Sequence, residues 1–345
     1  MNKFWLFVIL FIFIFVQGCG SGSDSLENNL SSQDHLEKAE FLYQNKEYEN
    51  SILEFTEAIK KDSLNAKAYY ERGLAYLSLE DYENAIDDFT QAIKLRPYVS
   101  AAYFARGIAY FTLIDYEKAL IDFDEAILLD PNYVYAYINR GNIKVIQDDF
   151  DAALKDYNIA LTMETSSSYF YERRGYLYFL MEQYAKSKAD FSRALLLNPE
   201  SGFAYFKRAQ INFIEEKYEL AINDYSQAIR INSDDYSSLA ARGWLYKLTD
   251  QYELALADLN SAIELKSDFS SAYNNRAYVY IDLGEYELAL DSVNEAIKIK
   301  PLAAYVDTRG DVYKSMQESA LMCEDYRVAC DLDAEISCQK MTENC

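Results

Sequence analysis

The sequence predicts an all-α fold, a solenoid of stacked helix hairpins, and three observations predict it. The first is a period of thirty-four residues: Gly73, Gly107, Gly141 and Gly175 are followed at that spacing by Ala209, Gly243 and Ala277, and preceded by Ala39. The second is a set of small residues locked to this register. Alanine or serine stands twelve residues later, from Ser51 to Ala289, and alanine alone nineteen later, from Ala58 to Ala296. A bulky side chain lies between them at Phe55, Phe89, Phe123, Tyr157, Phe191, Tyr225, Leu259 and Val293. The third is the placing of Pro97, Pro131, Pro199 and Pro301 just after the second small residue, where proline stops one helix and starts another. Half of the 345 residues are apolar, enough to bury a core.

In chain order, the first element is an address. Met1-Asn2-Lys3 is followed by thirteen apolar residues, Phe4 to Val16. A membrane-spanning helix needs about 20, and a run of 10–14 suits a signal peptide. Val16-Gln17-Gly18-Cys19 then resembles the lipobox of bacterial lipoproteins, although Gln17 is atypical of it. The resemblance implies cleavage of residues 1–18, lipid on Cys19, and a place in the bacterial envelope facing the periplasm. Gly20 in place of aspartate favours the outer membrane under the familiar sorting rule. An ordinary cleaved signal or a retained short anchor are the other readings. Residues 19–33, rich in Gly, Ser and Asn, form a flexible tether.

The hairpins occupy 34–301 in eight copies. Tyr69, Gly73 and Tyr76 share one face of a first helix; Tyr82, Ala85, Phe89 and Ala92 share one face of a second. Small residues let the two axes approach and rings fill the space around the crossing. One hairpin leaves an apolar face uncovered, so neighbours must stack. Residues 302–345 hold a degenerate ninth copy and a cap, with Gly310 one residue early and Met322 at a small-residue position.

This pattern resembles the tetratricopeptide repeat, and the arginine before each register point places the copies with an Arg-Gly subtype. The resemblance implies a right-handed superhelix whose first helices line a concave surface. Positions −6, −3, +1 and +4 from the register point should face that groove. The candidate lining is Tyr70, Leu74, Phe104, Ile108, Tyr135, Ile138, Asn142, Tyr169, Glu172, Tyr176, Phe203, Phe206, Gln210 and Trp244. Family members that grip acidic peptide tails use lysines and asparagines there. Asn139 and Asn142 are present without lysine partners at these positions, so the expected partner is an apolar or basic segment of a protein or peptide. A lipoprotein that captures a small apolar ligand for a transporter is the alternative.

Two charged columns accompany the repeat. Arg72, Arg106, Arg140, Arg174, Arg208, Arg242, Arg276 and Arg309 precede the register points, with Lys38 in the first copy. Asp88, Asp122, Asp156, Asp190, Asp224, Asp258 and Asp325 precede the central bulky residue, with Glu54 first and Ser292 as the exception. An ion-pair ladder follows, suited to the planar guanidinium fork. Its partners could be in the same repeat or in the next.

Cys323, Cys330, Cys338 and Cys345 close the chain. On one helix the first two are about 10 Å apart, too far for a bridge. A chain doubling back near Asp333-Ala334 predicts nested bridges, Cys323–Cys345 and Cys330–Cys338; Cys323–Cys338 with Cys330–Cys345 is the crossed alternative.

A net charge of −23 argues against nucleic acid as a partner. His35, the single histidine, falls in the slot that is Tyr69 one repeat later, a packing position. No phosphate loop, metal-ligand cluster or paired nucleophile and base is visible, so neither cofactor, metal nor enzymatic activity is expected.

Overall fold

The computed structural model of the protein describes residues 30–332 and 334–345, which fall into two compact units divided after Pro131. The expected signal peptide, Cys19 and the expected tether up to residue 29 lie outside the described residues. Nineteen α-helices and no strand occur among the described residues.

The first unit holds three hairpins: α1 (Ser32–Gln44) with α2 (Tyr48–Lys61), α3 (Ala66–Ser78) with α4 (Tyr82–Leu95), and α5 (Ser100–Thr112) with α6 (Tyr116–Leu129). The second holds α7 (Val134–Ile146) with α8 (Phe150–Met163), α9 (Ser168–Leu180) with α10 (Tyr184–Leu197), and α11 (Gly202–Ile214) with α12 (Tyr218–Ile231). It continues with α13 (Tyr236–Leu248) and α14 (Tyr252–Leu265), α15 (Ser270–Leu283) and α16 (Tyr286–Ile299), α17 (Ala303–Ser315) and α18 (Ser319–Asp331), and a last helix, α19 (Glu335–Asn344). Helix α1 begins two residues before the expected boundary at 34, because Ser31 and Asp34 form a reciprocal capping box that draws the end of the tether into its first turn.

The core of each hairpin is the crossing read from the period. Phe55, Phe89, Phe123 and Phe191 are fully buried, and so are the alanines at their sides. At Gly141 and Gly310 the approach is very close: a Cβ there would come within 2.6 Å of the Tyr157 and Tyr326 rings. Where alanine holds the register, at Ala39, Ala209 and Ala277, the site is equally buried.

The turns follow one design that the sequence does not announce. Seven residues after every register point a residue takes positive φ: Lys46, Glu80, Ile114, Asp148, Glu182, Glu216, Asp250, Gly284 and Gln317. The next amide then reaches back to a carbonyl five residues earlier, as Asp81 to Tyr76 at 2.9 Å and Glu285 to Tyr280 at 2.9 Å. This is the Schellman closure of a helix end, which glycine suits best because its left-handed backbone meets no Cβ. Only Gly284 uses glycine, so the other turns hold their geometry against a conformational cost. Ile114 bears it with a β-branched side chain.

Each ladder arginine pairs with the aspartate of its own repeat. Nε and Nη2 donate to the two carboxylate oxygens at 2.6–2.9 Å in Arg72–Asp88, Arg106–Asp122, Arg140–Asp156, Arg174–Asp190, Arg208–Asp224, Arg242–Asp258 and Arg309–Asp325. The third nitrogen, Nη1, reaches the preceding repeat. It donates at 2.8–3.2 Å to Thr56, Thr90, Asn158, Ser192, Ser226, Asn260 and Asn294, from Arg72, Arg106, Arg174, Arg208, Arg242, Arg276 and Arg309 in that order. One guanidinium thus ties a hairpin to itself and to its neighbour. Tyrosines complete the seat: Arg72 lies between the rings of Tyr69 and Tyr76, Arg106 between Tyr103 and Tyr110, Arg174 between Tyr171 and Tyr178. Burial pushes the Asp88 carboxyl above its ordinary range, against the opposing pull of Arg72. The pair therefore contributes modestly to net stability, while loss of one partner strands a buried charge. The first copy substitutes its own cluster. Glu54 meets Lys38 at 2.6 Å and the buried His35 at 2.7 Å.

At the C-terminus, disulfides join Cys323 to Cys345 and Cys330 to Cys338, the nested pairing, with Cα atoms 5.7 and 4.7 Å apart. They hold α19 beside the last hairpin. Lys340 on α19 meets Asp307 at 2.7 Å and Asp311 at 2.8 Å on α17, and Ser337 donates to Asp307 at 2.7 Å.

Four outcomes are expected. Ile114→Gly should raise the stability of the first unit by about 1 kcal/mol, through relief of the left-handed backbone, and Gly284→Val should lower that of the second by a similar amount. Urea denaturation followed by circular dichroism measures both. Arg208→Met, which strands Asp224, should cost about 3–5 kcal/mol. Arg276→Met should cost about 1 kcal/mol, because Arg276 bonds Ser292 and Asn260, neutral groups. Amide hydrogen exchange of the flanking helices reads the difference locally, and equal losses would contradict the account of the ladder.

Candidate functional site

The first helices carry the residues singled out for a partner. In the first unit the Tyr70 ring packs on Phe89 at 5.8 Å and Phe104 on Phe123 at 5.7 Å, so each half-buried ring covers the central ring of its own hairpin. Leu74 and Ile108 are half-buried beside them. A cavity of about 180 Å³ opens there, lined by Ala66, Tyr70, Ala92, Val99 and Ala102 with Lys67 and Arg96.

The second unit presents the larger aromatic face. Tyr135 and Tyr169 are exposed and both lie against the buried ring of Phe170, at 5.7 and 6.2 Å. Tyr176 meets Phe203 edge-on at 6.0 Å, Phe206 packs on Tyr225 at 5.6 Å, and Trp244 on Tyr278 at 5.6 Å. Asn142 is half-buried and accepts a hydrogen bond from Tyr157 at 2.8 Å. Mutual ring packing holds these side chains in place while leaving part of each accessible.

Two predicted lining residues are not on this face. Ile138 is fully enclosed. Aromatic rings at the same position, Tyr70, Phe104 and Phe206, extend past the central ring to the surface, whereas isoleucine is too short to emerge. Glu172 is buried and accepts the Ser201 hydroxyl at 2.7 Å, at the start of α11. Its carboxylate joins successive first helices and does not face a partner.

Neighbouring first helices touch at α7–α9, α9–α11, α13–α15 and α15–α17, but α11 and α13 pack less closely. A cavity of about 260 Å³ opens at that gap, lined by Phe179, Gln210, Phe213, Ile214, Tyr225, Ala241, Trp244 and Leu245.

Two cations, one of them beside this cavity, escaped the sequence reading. The Lys207 ammonium lies 5.0 Å from the Tyr176 ring centre, 5.1 Å from Phe179, 5.5 Å from Phe206 and 6.0 Å from Phe203. It donates to Gln210 Oε1 at 3.1 Å. Burial lowers its pKa below the ordinary lysine value. One repeat earlier, Arg173 lies 4.9 Å over Tyr169 and 5.2 Å over the same Phe203, and its buried Nε has no hydrogen-bond acceptor. Among the described residues no carboxylate comes within salt-bridge distance of either cation. Both stand two positions before the register point, one helical turn after the −6 positions Tyr169 and Phe203, so their long stems lie along rings on the same side of the helix. The signal was present in the sequence as two basic residues at one register in an acidic protein.

Among the described residues no group of His, Cys, Asp and Glu could hold a metal ion, and no helix is long and apolar enough to cross a membrane.

Profiles of the tetratricopeptide repeat match residues 66–98, 100–133, 172–236, 236–269 and 270–301. No curated protein matches the chain. Among solved structures, a chain of the APC/C Cut9–Hcn1 hetero-tetramer is 18% identical over 84% of this chain and 57% of its own, with a TM-score of 0.57. A tetratricopeptide repeat protein from Parabacteroides merdae is 20% identical over 70% of this chain and 97% of its own, at 0.56. Pseudomonas aeruginosa pilF is 20% identical over 60% and 94%, at 0.55. These likenesses are likenesses of fold. The matched segments cover more than half of the sequence, and the hairpins between and after them repeat the same register, crossing and turn: the chain belongs to the tetratricopeptide repeat family.

Proposed function

We propose that the protein is a non-enzymatic scaffold of Arg-Gly-type repeats, which holds an extended segment of a partner protein on the aromatic first-helix face of residues 132–345. The observation that carries this reading is the row Tyr135, Tyr169, Tyr176, Phe206 and Trp244. These rings are fixed by packing on other rings and remain partly accessible. Rigid aromatic side chains lose little conformational freedom on binding and are enriched where proteins meet. The cavity at α11–α13, about 260 Å³, is smaller than the ~300–1,000 Å³ that encloses a small ligand, which favours a segment over a captured molecule. Residues 1–19 assign the scaffold to the bacterial envelope, lipid-anchored through Cys19 and facing the periplasm, with Gly20 favouring the outer membrane.

Crosslinking in intact envelopes tests the face. A Tyr169→Ala/Tyr176→Ala/Trp244→Ala variant that keeps its helical circular dichroism should recover at least tenfold less of each partner than wild type; identical recovery would overturn the reading. Labelled palmitate tests the anchor. Wild type should incorporate it and fractionate with membranes, and Cys19→Ser should do neither. A labelled Cys19→Ser protein would refute lipidation at that cysteine.

A further inference from the structure

The aromatic face contains an arrangement that narrows the chemistry of its partner. The whole chain carries a net charge of −23, yet the described residues place two cations without a carboxylate on the α9–α11 surface. Most basic side chains nearby are matched: Lys188 and Lys217 to Glu215, Arg174 to Asp190, Arg208 to Asp224. Lys207 and Arg173 instead have aromatic rings and one amide oxygen about them. Rings attract a cation weakly, by about 0.5–2 kcal/mol, and do not neutralise it. An anion arriving at either gains a charge-assisted contact and displaces no existing ion pair.

Lys207 and the cavity are parts of one site, and Arg173 shares the Phe203 ring with Lys207. Gln210 accepts from Lys207 and also lines the cavity, and Phe179 faces both the ammonium and the cavity. The remaining wall, Phe213, Ile214, Trp244 and Leu245, is apolar. A carboxylate set against Lys207 therefore places the adjacent group of the same ligand at an apolar hole. We propose that this surface recognises an acidic partner segment, in place of the apolar or basic one that the first-helix composition led us to expect, with an aspartate or glutamate of that segment against Lys207, a second acidic group within reach of Arg173, and a bulky apolar side chain next to the first in the α11–α13 cavity. This assignment rests on the scaffold reading and specifies it. Charge complementarity selects the acidic group, and the volume of the hole selects a side chain.

Selection of phage-displayed random dodecapeptides on the full-length protein is the test. Display at the phage surface leaves these segments without a free C-terminus, so side-chain carboxylates are what is read. Sequences with Asp or Glu adjacent to Phe, Leu, Met or Trp should be enriched at least tenfold over the input. Against Lys207→Met the acidic preference should vanish while apolar sequences persist, and against Trp244→Ala the apolar preference should weaken while the acidic one persists. A selected peptide should bind wild type at least tenfold more tightly than its Glu→Gln or Asp→Asn counterpart, and Lys207→Met should not distinguish the two. Lys207 holds no ion pair, so its variant should unfold as wild type does, and a thermal melt verifies this. Recovery of apolar or basic sequences without acidic enrichment would overturn the inference and leave the scaffold standing. Acidic enrichment that survives in both Lys207→Met and Arg173→Met would also overturn it. Failure to select any peptide, with Trp244 fluorescence saturating on sodium dodecanoate, would overturn both readings in favour of ligand capture.

Discussion

Everything in this fold depends on how closely the two helices of a hairpin approach. A ring of the second helix lies flat against a residue of the first that has almost no side chain, and Gly141 beneath Tyr157 shows how little room remains. The residue just before the crossing point is arginine in every copy but the first, and its flat head turns aside to the carboxylate one residue before the central bulky side chain. The small residue, the ring, the arginine and the aspartate are therefore one unit, and the thirty-four residue period repeats that unit.

The guanidinium has three nitrogens in play and uses all of them. Two close the pair within the repeat, and the third reaches the hydroxyl or amide one position after the preceding ring. A carboxylate alone would fix only the hairpin; the third bond fixes how the next hairpin sits on it. This division explains why the ladder survives the loss of its acidic member in one repeat. Arg276 finds Ser292 in place of aspartate but keeps its bond to Asn260 in the preceding repeat. Register between neighbours is retained where the net stabilisation of the ion pair is given up, as expected if the pair serves specificity of stacking more than stability.

What could be read from the sequence follows from the length scale of the cause. Crossing residues act through direct contact at fixed spacing, so Gly73, Phe89, Ala85 and Ala92 gave away the hairpin and the two charged columns. A helix cannot bend between Cys323 and Cys330, which removes one of the three cysteine pairings, and a chain doubling back after them selects the nested pairing from the two that remain. The turns were not legible, since Ile114 and Asp148 take left-handed backbone without any residue signal for it; the neighbouring helices impose the conformation. On the candidate face, Ile138 stops short of a surface that tyrosine reaches, a matter of side-chain length that a count of helical positions does not carry. Lys207 stands one turn after Phe203, at a position on the same side of α11 that the expected lining did not include.

The same reasoning bears on where evolution could change this protein's partner. Crossing, ladder and turn consume most of each first helix, and alteration there would damage the stack. Positions −6, −3, −2, +1 and +4 remain, and of these the −3 rings also cover the core. The positions free to vary at least structural cost are those like Lys207, Arg173, Tyr169 and Trp244, whose ends emerge beyond the packed layer. Several of them occur within α9, α11 and α13, next to a gap between first helices that leaves a cavity. A looser contact between α11 and α13 is a small loss in a chain stabilised repeat by repeat. It also supplies a concavity at which an apolar side chain and a charge can be recognised together. Binding chemistry and packing economy therefore converge on the same three helices.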